Sequence, residues 1–195
     1  MSFSVRPTIQ ADLSAVDDLL ARSYPKLLKA DYAPSVLVTV LPIISRARPE
    51  LIACGTYYVA EEDGQILGAG GWTRDRVQAD KGHIRHVVTD DRALRRGVGR
   101  TILCHTIKAA RHSGILELEC ASTLTAVPFY TSVGFESEEQ FVIELGPSIH
   151  FPAVRMRQVW GGNLTSLPPA SIKLSKLVFT CFRPGSGKSI NVPYT

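Results

Sequence analysis

The stretch Arg95-Arg96-Gly97-Val98-Gly99-Arg100 decides the fold of this chain. It lies between an apolar strand predicted over 84–89 and a helical pattern over 102–110. Two glycines there leave the backbone bare, so its amide groups can close around an anion. The start of a helix adds the positive end of its dipole, and three arginines add full charges. This order of strand, glycine turn and helix predicts a phosphate-binding turn.

Composition limits the classes of protein to which this chain can belong. The chain has 195 residues, of which 45% are hydrophobic, so we expect one domain with a sizeable core. No apolar run approaches the roughly 20 residues of a membrane helix, and the first eight residues do not resemble a signal peptide. We therefore expect a cytoplasmic protein that does not bind membranes. The net charge of +4 suits a polyanionic cofactor, but no basic tract indicates nucleic acid and no ligand cluster indicates a metal.

The hydrophobic pattern on either side of the turn predicts the order β-α-α-β-β-β-α-β-α-β-β. The strand–helix–strand unit that contains the turn requires a right-handed crossover and makes its two strands parallel. We therefore predict a mixed α/β sheet with helices on both faces. The predicted strands cover 5–9, 57–60, 66–72, 84–89, 115–121, 139–145 and 153–159. Four helices are predicted. The first begins at an N-cap Asp12, and the second begins after Asp31 and ends near Pro42. The third follows the glycine turn and runs to about 112, and the fourth covers 126–133.

Two further features of the pattern set expectations about packing and boundaries. Gly68, Gly70 and Gly71 in one strand indicate the close approach of another group, or a bulge. After Trp160 the composition shifts to Ser, Pro, Gly and Lys, so we expect a domain over 4–160 and a C-terminal tail over 161–195 that is flexible or appended.

A second motif identifies the family that the chain resembles. The segment Phe129-Tyr130-Thr131-Ser132-Val133-Gly134-Phe135 follows the glycine turn after one helix and one strand. It matches F-Y-x-x-x-G-F, and the turn matches Q/R-x-x-G-x-G/A, with Leu94 in place of the usual Gln or Arg. Both motifs, in this order, resemble the GNAT superfamily of N-acetyltransferases over roughly 4–159. A dinucleotide fingerprint fits less well because Ile102 stands where it needs a third glycine.

The resemblance implies a GNAT-like fold, in which a mostly antiparallel sheet contains one splayed parallel strand pair. It also implies acetyl-CoA as co-substrate, with its pyrophosphate on the glycine turn and its pantetheine arm beside the preceding strand. A hydroxyl at Thr125 stands where the family often has an Asn. The residues that would contact acetyl-CoA are Val87, Val88, Thr89, Arg95, Arg96, Gly97, Val98, Gly99, Arg100, Thr125 and Phe129.

The same resemblance implies two catalytic residues. Tyr130 would protonate the departing CoA thiolate, and His83 stands where one branch of the family has a glutamate base. Glu117, Glu119 and a water molecule remain alternatives for the base. Because side chains alternate along a strand, His83 and His86 cannot face the same cleft unless a bulge intervenes.

The implied activity is transfer of an acetyl group from acetyl-CoA to a primary amine in a ternary complex. The alternative is a non-catalytic acyl-CoA-binding sensor or structural subunit with the same fold. The acceptor stays open between a small molecule, an amino acid and a protein lysine, and a homodimer stays open too. Three carboxylates would attract a cationic amine, namely those of Asp17, Asp18 and Asp31. Four arginines would instead favour an acidic acceptor, namely Arg46, Arg48, Arg155 and Arg157.

Overall fold

The computed structural model describes residues 3–160, which contain a seven-stranded sheet in the order β1-β2-β3-β4-β5-β7-β6. The strands are β1 (Ser4–Pro7), β2 (Tyr57–Glu62), β3 (Gln65–Arg74), β4 (Lys81–Thr89), β5 (Glu117–Ser122), β6 (Glu136–Gly146) and β7 (Ile149–Val159). The helices are α1 (Leu13–Leu28), α2 (Pro34–Ile44), α3 (Pro49–Ile52), α4 (Val98–His112) and α5 (Val127–Thr131). No helix in 3–160 is long and apolar enough to cross a membrane.

The sheet has one parallel pair among its described strands, β4 and β5, and this pair is short. It runs from Lys81 opposite Glu117 to His83 opposite Glu119, although both strands continue beyond these residues. All other neighbours are antiparallel. The predicted fold, a mostly antiparallel sheet with a splayed parallel pair, is therefore confirmed.

Helices cover both faces of this sheet, as the sequence predicts. Neighbouring tyrosines of β2 show the alternation, since they pack into separate cores on opposite faces. Tyr58 packs in a core that includes Leu103 of α4. Tyr57 and Val59 pack in another core with Leu19 of α1. Each face of the sheet therefore packs against its own helix.

Helix α4 lies unusually close to β3, and the strand glycines permit it. A Cβ atom on Gly68 would lie 2.8 Å from Val98 Cγ1 and 2.9 Å from Ile102 Cδ1. A Cβ on Gly70 would come within 3.1 Å of Ile102 in the same way. The predicted close approach is thus confirmed, and the approaching group is the first turn and a half of α4.

Some local predictions were incomplete or wrong. Asp12 is the N-cap residue of α1, as predicted, but its side chain makes no capping hydrogen bond, because its carboxylate accepts the amide of Ile9 (2.8 Å) and pairs with Arg6 (2.8 Å) in the turn before the helix. Strand β4 begins three residues earlier than predicted, where polar Lys81 and His83 obscure the apolar pattern. The short α3 was not predicted. The predicted tail over 161–195 lies outside the described residues.

We predict that Gly68→Ala lowers the free energy of unfolding by about 1–3 kcal/mol, because the added methyl group must push α4 away from β3. Urea unfolding monitored by circular dichroism measures the change. Gly146→Ala is the matched control, since its Cβ would meet only Ile149 Cδ1 at an ordinary 3.7 Å. Equal stability of the two variants would contradict close packing at Gly68.

Candidate functional site

The separation of β4 from β5 opens a cleft of about 2850 Å³. A typical pocket for one small molecule measures roughly 300–1000 Å³, so this cleft has room for two substrates. The N-terminus of α4 and the end of β4 line one part of it. The end of α2, the β6–β7 hairpin and the start of β4 line the rest. Beyond His83, β4 has no strand partner on the β5 side within the described chain.

A β-bulge in β4 changes which of its side chains face the cleft. Ala69 of β3 pairs with Val88, but Gly71 pairs with Arg85, so β4 contains one extra residue in this interval. The extra residue allows His86 a positive φ of 39°. The Tyr57 hydroxyl donates to the His86 carbonyl (3.1 Å), which the bulge removes from the ladder. Both His83 and His86 line the cleft, because the bulge allowed for in the sequence analysis is present.

His86 itself is held as a neutral group by its surroundings. The Tyr24 hydroxyl of α1 lies 3.3 Å from His86 Nδ1. Burial, followed by the charges of Arg48 and Arg85, lowers the pKa of His86 to about 4. The ring therefore contributes an uncharged wall of the cleft at neutral pH.

The glycine turn presents free backbone donors to the cleft. Gly97 is the N-cap of α4 with φ +82°, and no side chain caps the helix or places an acid in its first turn. The first helical hydrogen bond is donated by the Thr101 amide to the Gly97 carbonyl (2.9 Å), which leaves the amides of the three preceding residues without helical partners. Leu94, Arg95, Gly97, Val98, Gly99 and Arg100 line the cleft.

Arg96 departs from this arrangement. Its guanidinium donates two hydrogen bonds from Nη2 to the carboxylate of Glu62, at 2.7 and 2.8 Å. It is also absent from the cleft lining that its neighbours form. The predicted contact of Arg96 with a phosphate can therefore come from its backbone amide, while its side chain anchors the turn to β2.

The second motif meets the first at the cleft. A Cβ on Gly99 would lie 2.8 Å from Thr89 Oγ1 and 3.6 Å from the Phe129 ring, so α5 abuts the start of α4. The ring of Tyr130 packs edge-on against Phe129 and Phe135 and is only 6% exposed. Burial raises the pKa of Tyr130 well above its usual value, and its hydroxyl has no hydrogen-bond partner within 3–160. A protonated phenol thus borders the cleft.

Thr125 also lines the cleft, but its hydroxyl is engaged. It donates to Asp31 Oδ2 (2.6 Å), which ties the loop before α5 to the loop between α1 and α2. Val87, Val88 and Thr89 line the cleft along the unpaired edge of β4. The predicted cofactor residues of the two motifs and of β4 therefore border one cavity, except for the Arg96 side chain.

His83 forms a pair with Asp75 that sequence reasoning missed. His83 Nε2 lies 2.8 Å from Asp75 Oδ2, and the amides of Val77 and Gln78 donate to Asp75 Oδ1 at 2.8 and 2.9 Å. Burial alone would raise the pKa of Asp75, but these hydrogen bonds lower it to about 2. Burial lowers the pKa of His83, so its ring is neutral at pH 7. A neutral ring that donates from Nε2 to Asp75 keeps the lone pair of Nδ1 available.

The alternative bases, Glu117 and Glu119, share another partner. Lys81 Nζ contacts Glu119 Oε2 at 2.7 Å and Glu117 Oε1 at 3.0 Å. Glu119 is nearly buried, and its Oε1 lies 4.0 Å from His83 Nδ1. Both carboxylates are thus engaged by the ammonium group of Lys81.

The acceptor side of the cleft is basic and apolar. All four arginines left open by the sequence line the cleft, whereas Asp17, Asp18 and Asp31 do not. Asp17 pairs with Arg46 (2.9 Å) and accepts the amide of Ala47 (2.8 Å). The apolar walls come from α2 and the β6–β7 hairpin, through Pro42, Ile43, Ile44, Phe141, Val142, Ile143, Leu145 and Phe151.

Comparisons with known proteins agree with this geometry. The sequence profile of the acetyltransferase (GNAT) domain matches residues 36–152. The PaiA N-acetyltransferase of Thermoplasma acidophilum, solved with coenzyme A, superimposes with a TM-score of 0.64 at 16% identity over 82% of this chain and 100% of that one. A GCN5-related N-acetyltransferase of Rhodopseudomonas palustris gives 0.66 at 16% identity, over 82% and 96%.

A third similar structure is larger. N-acetylglutamate synthase of Neisseria gonorrhoeae, solved with coenzyme A and N-acetyl-glutamate, gives a TM-score of 0.57 at 17% identity. The match covers 83% of this chain but 36% of that protein. At these identities the structures share the fold alone. No curated protein matches the chain by sequence.

We predict that His86 makes the protein less stable in mild acid. Protonation of a group with a pKa near 4 in the folded state and near 6.5 when unfolded favours unfolding as the pH falls below 6.5. Between pH 6.5 and 5 this group should remove up to about 2 kcal/mol. His86→Asn, which tolerates the positive φ, should abolish that loss in urea unfolding at the two pH values. His112→Asn, an exposed histidine of α4, is the control, and a His86→Asn protein that loses as much as wild type contradicts the prediction.

Proposed function

Since this chain belongs to the GNAT acetyltransferase family, we propose that it transfers an acetyl group from acetyl-CoA to a primary amine by direct attack in a ternary complex. One observation carries the proposal: the uncapped start of α4 and the protonated phenol of Tyr130 border the same cleft, which the separated β4 and β5 hold open. These two features would supply an anion site and a proton donor for a thiolate within one cleft.

Binding of acetyl-CoA would rely mainly on the backbone. The free amides of Val98, Gly99 and Arg100 would hold the pyrophosphate, helped by the α4 dipole. Arg95 and Arg100 add charge at the cleft. The pantetheine arm would pair with the β4 edge along Val87, Val88 and Thr89, where the described strands leave the ladder empty. Leu94 costs little here, because it replaces a side-chain contact and leaves these amides in place.

The chemistry needs proton handling and placement. The amine must be neutral to attack the thioester carbonyl, and His83 Nδ1 would take its proton, directly or through water. A β4 backbone amide near Val87 or Val88 would stabilise the oxyanion. When the carbon–sulfur bond breaks, Tyr130 would give its proton to the CoA sulfur. The attached nitrogen loses its second proton as the tetrahedral intermediate collapses, and this proton restores the phenol of Tyr130. The first proton leaves His83 for solvent, and the amide and free CoA are the products.

The alternative is a non-catalytic acyl-CoA sensor. The Tyr130 hydroxyl, which has no hydrogen-bond partner within 3–160, argues against it, because a structural role at this position would be filled by phenylalanine or by a hydrogen-bonded hydroxyl. The His83–Asp75 pair has no evident purpose in a sensor either. A thiol-release assay with acetyl-CoA and a panel of amines separates the two functions, and binding of CoA without turnover of any amine would favour the sensor.

We predict that Tyr130→Phe lowers kcat by about 10²–10⁴-fold, since it removes the proton donor but keeps the ring. Its affinity for CoA, measured by calorimetry, should stay within a few-fold of wild type. Phe135→Leu is a control for packing, since it alters the other ring contact of Tyr130 while keeping the phenol. A kcat within about threefold of wild type in Tyr130→Phe would remove this residue from the mechanism.

We predict that the pH profile of kcat/KM shows a second protonation, which belongs to His83. Because the amine must lose a proton, log kcat/KM should rise with slope one across neutral pH. Below the pKa of His83, which burial lowers from 6.5, the slope should reach two as the base also protonates. His83→Gln should keep slope one throughout and lower kcat/KM about 10²-fold.

Asp75→Asn tests the orienting role in the same measurement. The Asp75 hydrogen bond raises the pKa of His83 against the larger effect of burial, so its loss should move the break to still lower pH. A variant with lower activity but an unmoved break would show that Asp75 acts only on the fold.

A further inference from the structure

Arg85 is a charged residue of the cleft that the proposed chemistry does not use. It lies on β4 two residues beyond His83 and before the bulge, so its side chain leaves the same face of the strand. It is partly buried and lines the cleft. Its Nε donates to Thr73 Oγ1 (2.9 Å), and its two terminal nitrogens make no hydrogen bond to the described residues. No carboxylate in 3–160 is within ion-pair distance.

The acids nearest to Arg85 are already engaged. Glu119 and Asp75 act on it electrostatically, but Glu119 contacts Lys81 (2.7 Å) and Asp75 contacts His83 (2.8 Å). Arg48 and Arg76 add positive charge to the same region. Burial and then Arg48 lower the pKa of Arg85 to about 10, which still leaves it charged at pH 7. The guanidinium therefore lies in a positive part of the cleft.

Other arginines of the acceptor side differ from Arg85. Arg46 pairs with Asp17 (2.9 Å), Arg155 with Glu139 (2.6 Å) and Arg157 with Glu138 (2.8 Å). Such pairs give these residues a structural explanation. A partly buried guanidinium without a carboxylate has no such explanation, because removing a charge from water costs free energy unless an opposite charge compensates. The missing anion would come from the ligand.

The spacing along β4 indicates what kind of molecule carries that anion. Residues two apart on a strand are about 7 Å apart, so long side chains at such positions can meet two groups of one small molecule. If His83 takes the proton of the acceptor amine, Arg85 is next to a carboxylate on the same acceptor. A guanidinium binds a carboxylate with two parallel hydrogen bonds, for which the terminal nitrogens of Arg85 are suited.

Building on the acetyl transfer proposed above, we infer that the acceptor is an α-amino acid whose carboxylate binds Arg85. Part of the same cleft is apolar, through Ile43 and Ile44 of α2 and Phe141, Val142 and Phe151 of the hairpin. They favour an apolar side chain on that amino acid.

The first test compares acceptors that differ only in the anion. L-Leucine, L-leucinamide and 3-methylbutylamine share an apolar chain, and only the first has a carboxylate. Thiol release with acetyl-CoA should give a kcat/KM for leucine about ten- to hundredfold above the other two, the range of a hydrogen-bonded charge. The amide has the more readily deprotonated amine, so intrinsic reactivity would favour the opposite order. O-Phosphoethanolamine tests a phosphate in place of the carboxylate.

The second test changes Arg85. Arg85→Gln should remove the preference for leucine by about ten- to hundredfold and leave turnover of 3-methylbutylamine within a few-fold of wild type. Arg85→Lys keeps the charge but not the two parallel donors, so its preference for leucine should lie between those of wild type and Arg85→Gln. Arg46→Gln is the matched control, because it removes an arginine of the same cleft that already has Asp17 as partner. Thermal unfolding checks that each variant folds.

The outcomes separate this inference from the proposed function. Equal turnover of leucine and 3-methylbutylamine, or preference for O-phosphoethanolamine, would overturn the amino-acid acceptor and leave acetyl transfer intact. If no amine is acetylated, acetyl transfer fails, and binding to the CoA-loaded protein decides the inference. N-Acetyl-L-leucine should then bind at least tenfold more tightly than its amide, and Arg85→Gln should abolish the difference. Equal binding of the two compounds would overturn it.

Discussion

The extra residue in β4 is the constraint on which the site depends. It lets His86 take a positive φ and bends the strand away from β5 after three paired residues. An unpaired strand edge inside a protein leaves backbone donors and acceptors unsatisfied, which is costly unless water or a ligand meets them. The fold satisfies one of them itself, since the Tyr57 hydroxyl binds the His86 carbonyl. The remaining edge is free to bind an extended molecule.

The close approach of α4 to β3 brings the uncapped start of α4 to this edge. With glycine at 68 and 70, Val98 and Ile102 settle against the backbone of β3, so the helix begins beside the end of β4. Gly99 then lets Thr89 and Phe129 close around the first turn, which joins the glycine turn to the helix that carries Tyr130. The two motifs are distant in sequence but pack against each other, because Gly99 of the first leaves room for the Phe129 ring of the second.

The sequence predicted the features that depend on local pattern. Element order, the parallel pair and the strand glycines follow from periodicity and from residues with few alternatives, and the structure has them. The position of the bulge could not be predicted from the sequence, because no residue type marks the extra residue. Which side chains of β4 face the cleft depends on how β4 pairs with β3. Asp75 was missed for the same reason, since its partner lies across a hairpin. The N-cap position of Asp12 was predicted, but the contacts of its carboxylate with Arg6 and with the amide of Ile9 were not, because neither can be inferred from spacing.

The two halves of the cleft therefore differ in how they encode recognition. The half assigned to CoA uses backbone amides and a strand edge, which require only glycine at particular positions and tolerate Leu94 in place of a polar residue. A motif of this kind is visible in a single sequence. The half proposed for the acceptor is lined by side chains from α2, β4 and β7, and whether an arginine there is left to meet a ligand depends on whether an acid lies beside it. Only the folded structure distinguishes arginines that look alike in the sequence, because it gives Arg155 a carboxylate partner and Arg85 a hydroxyl partner.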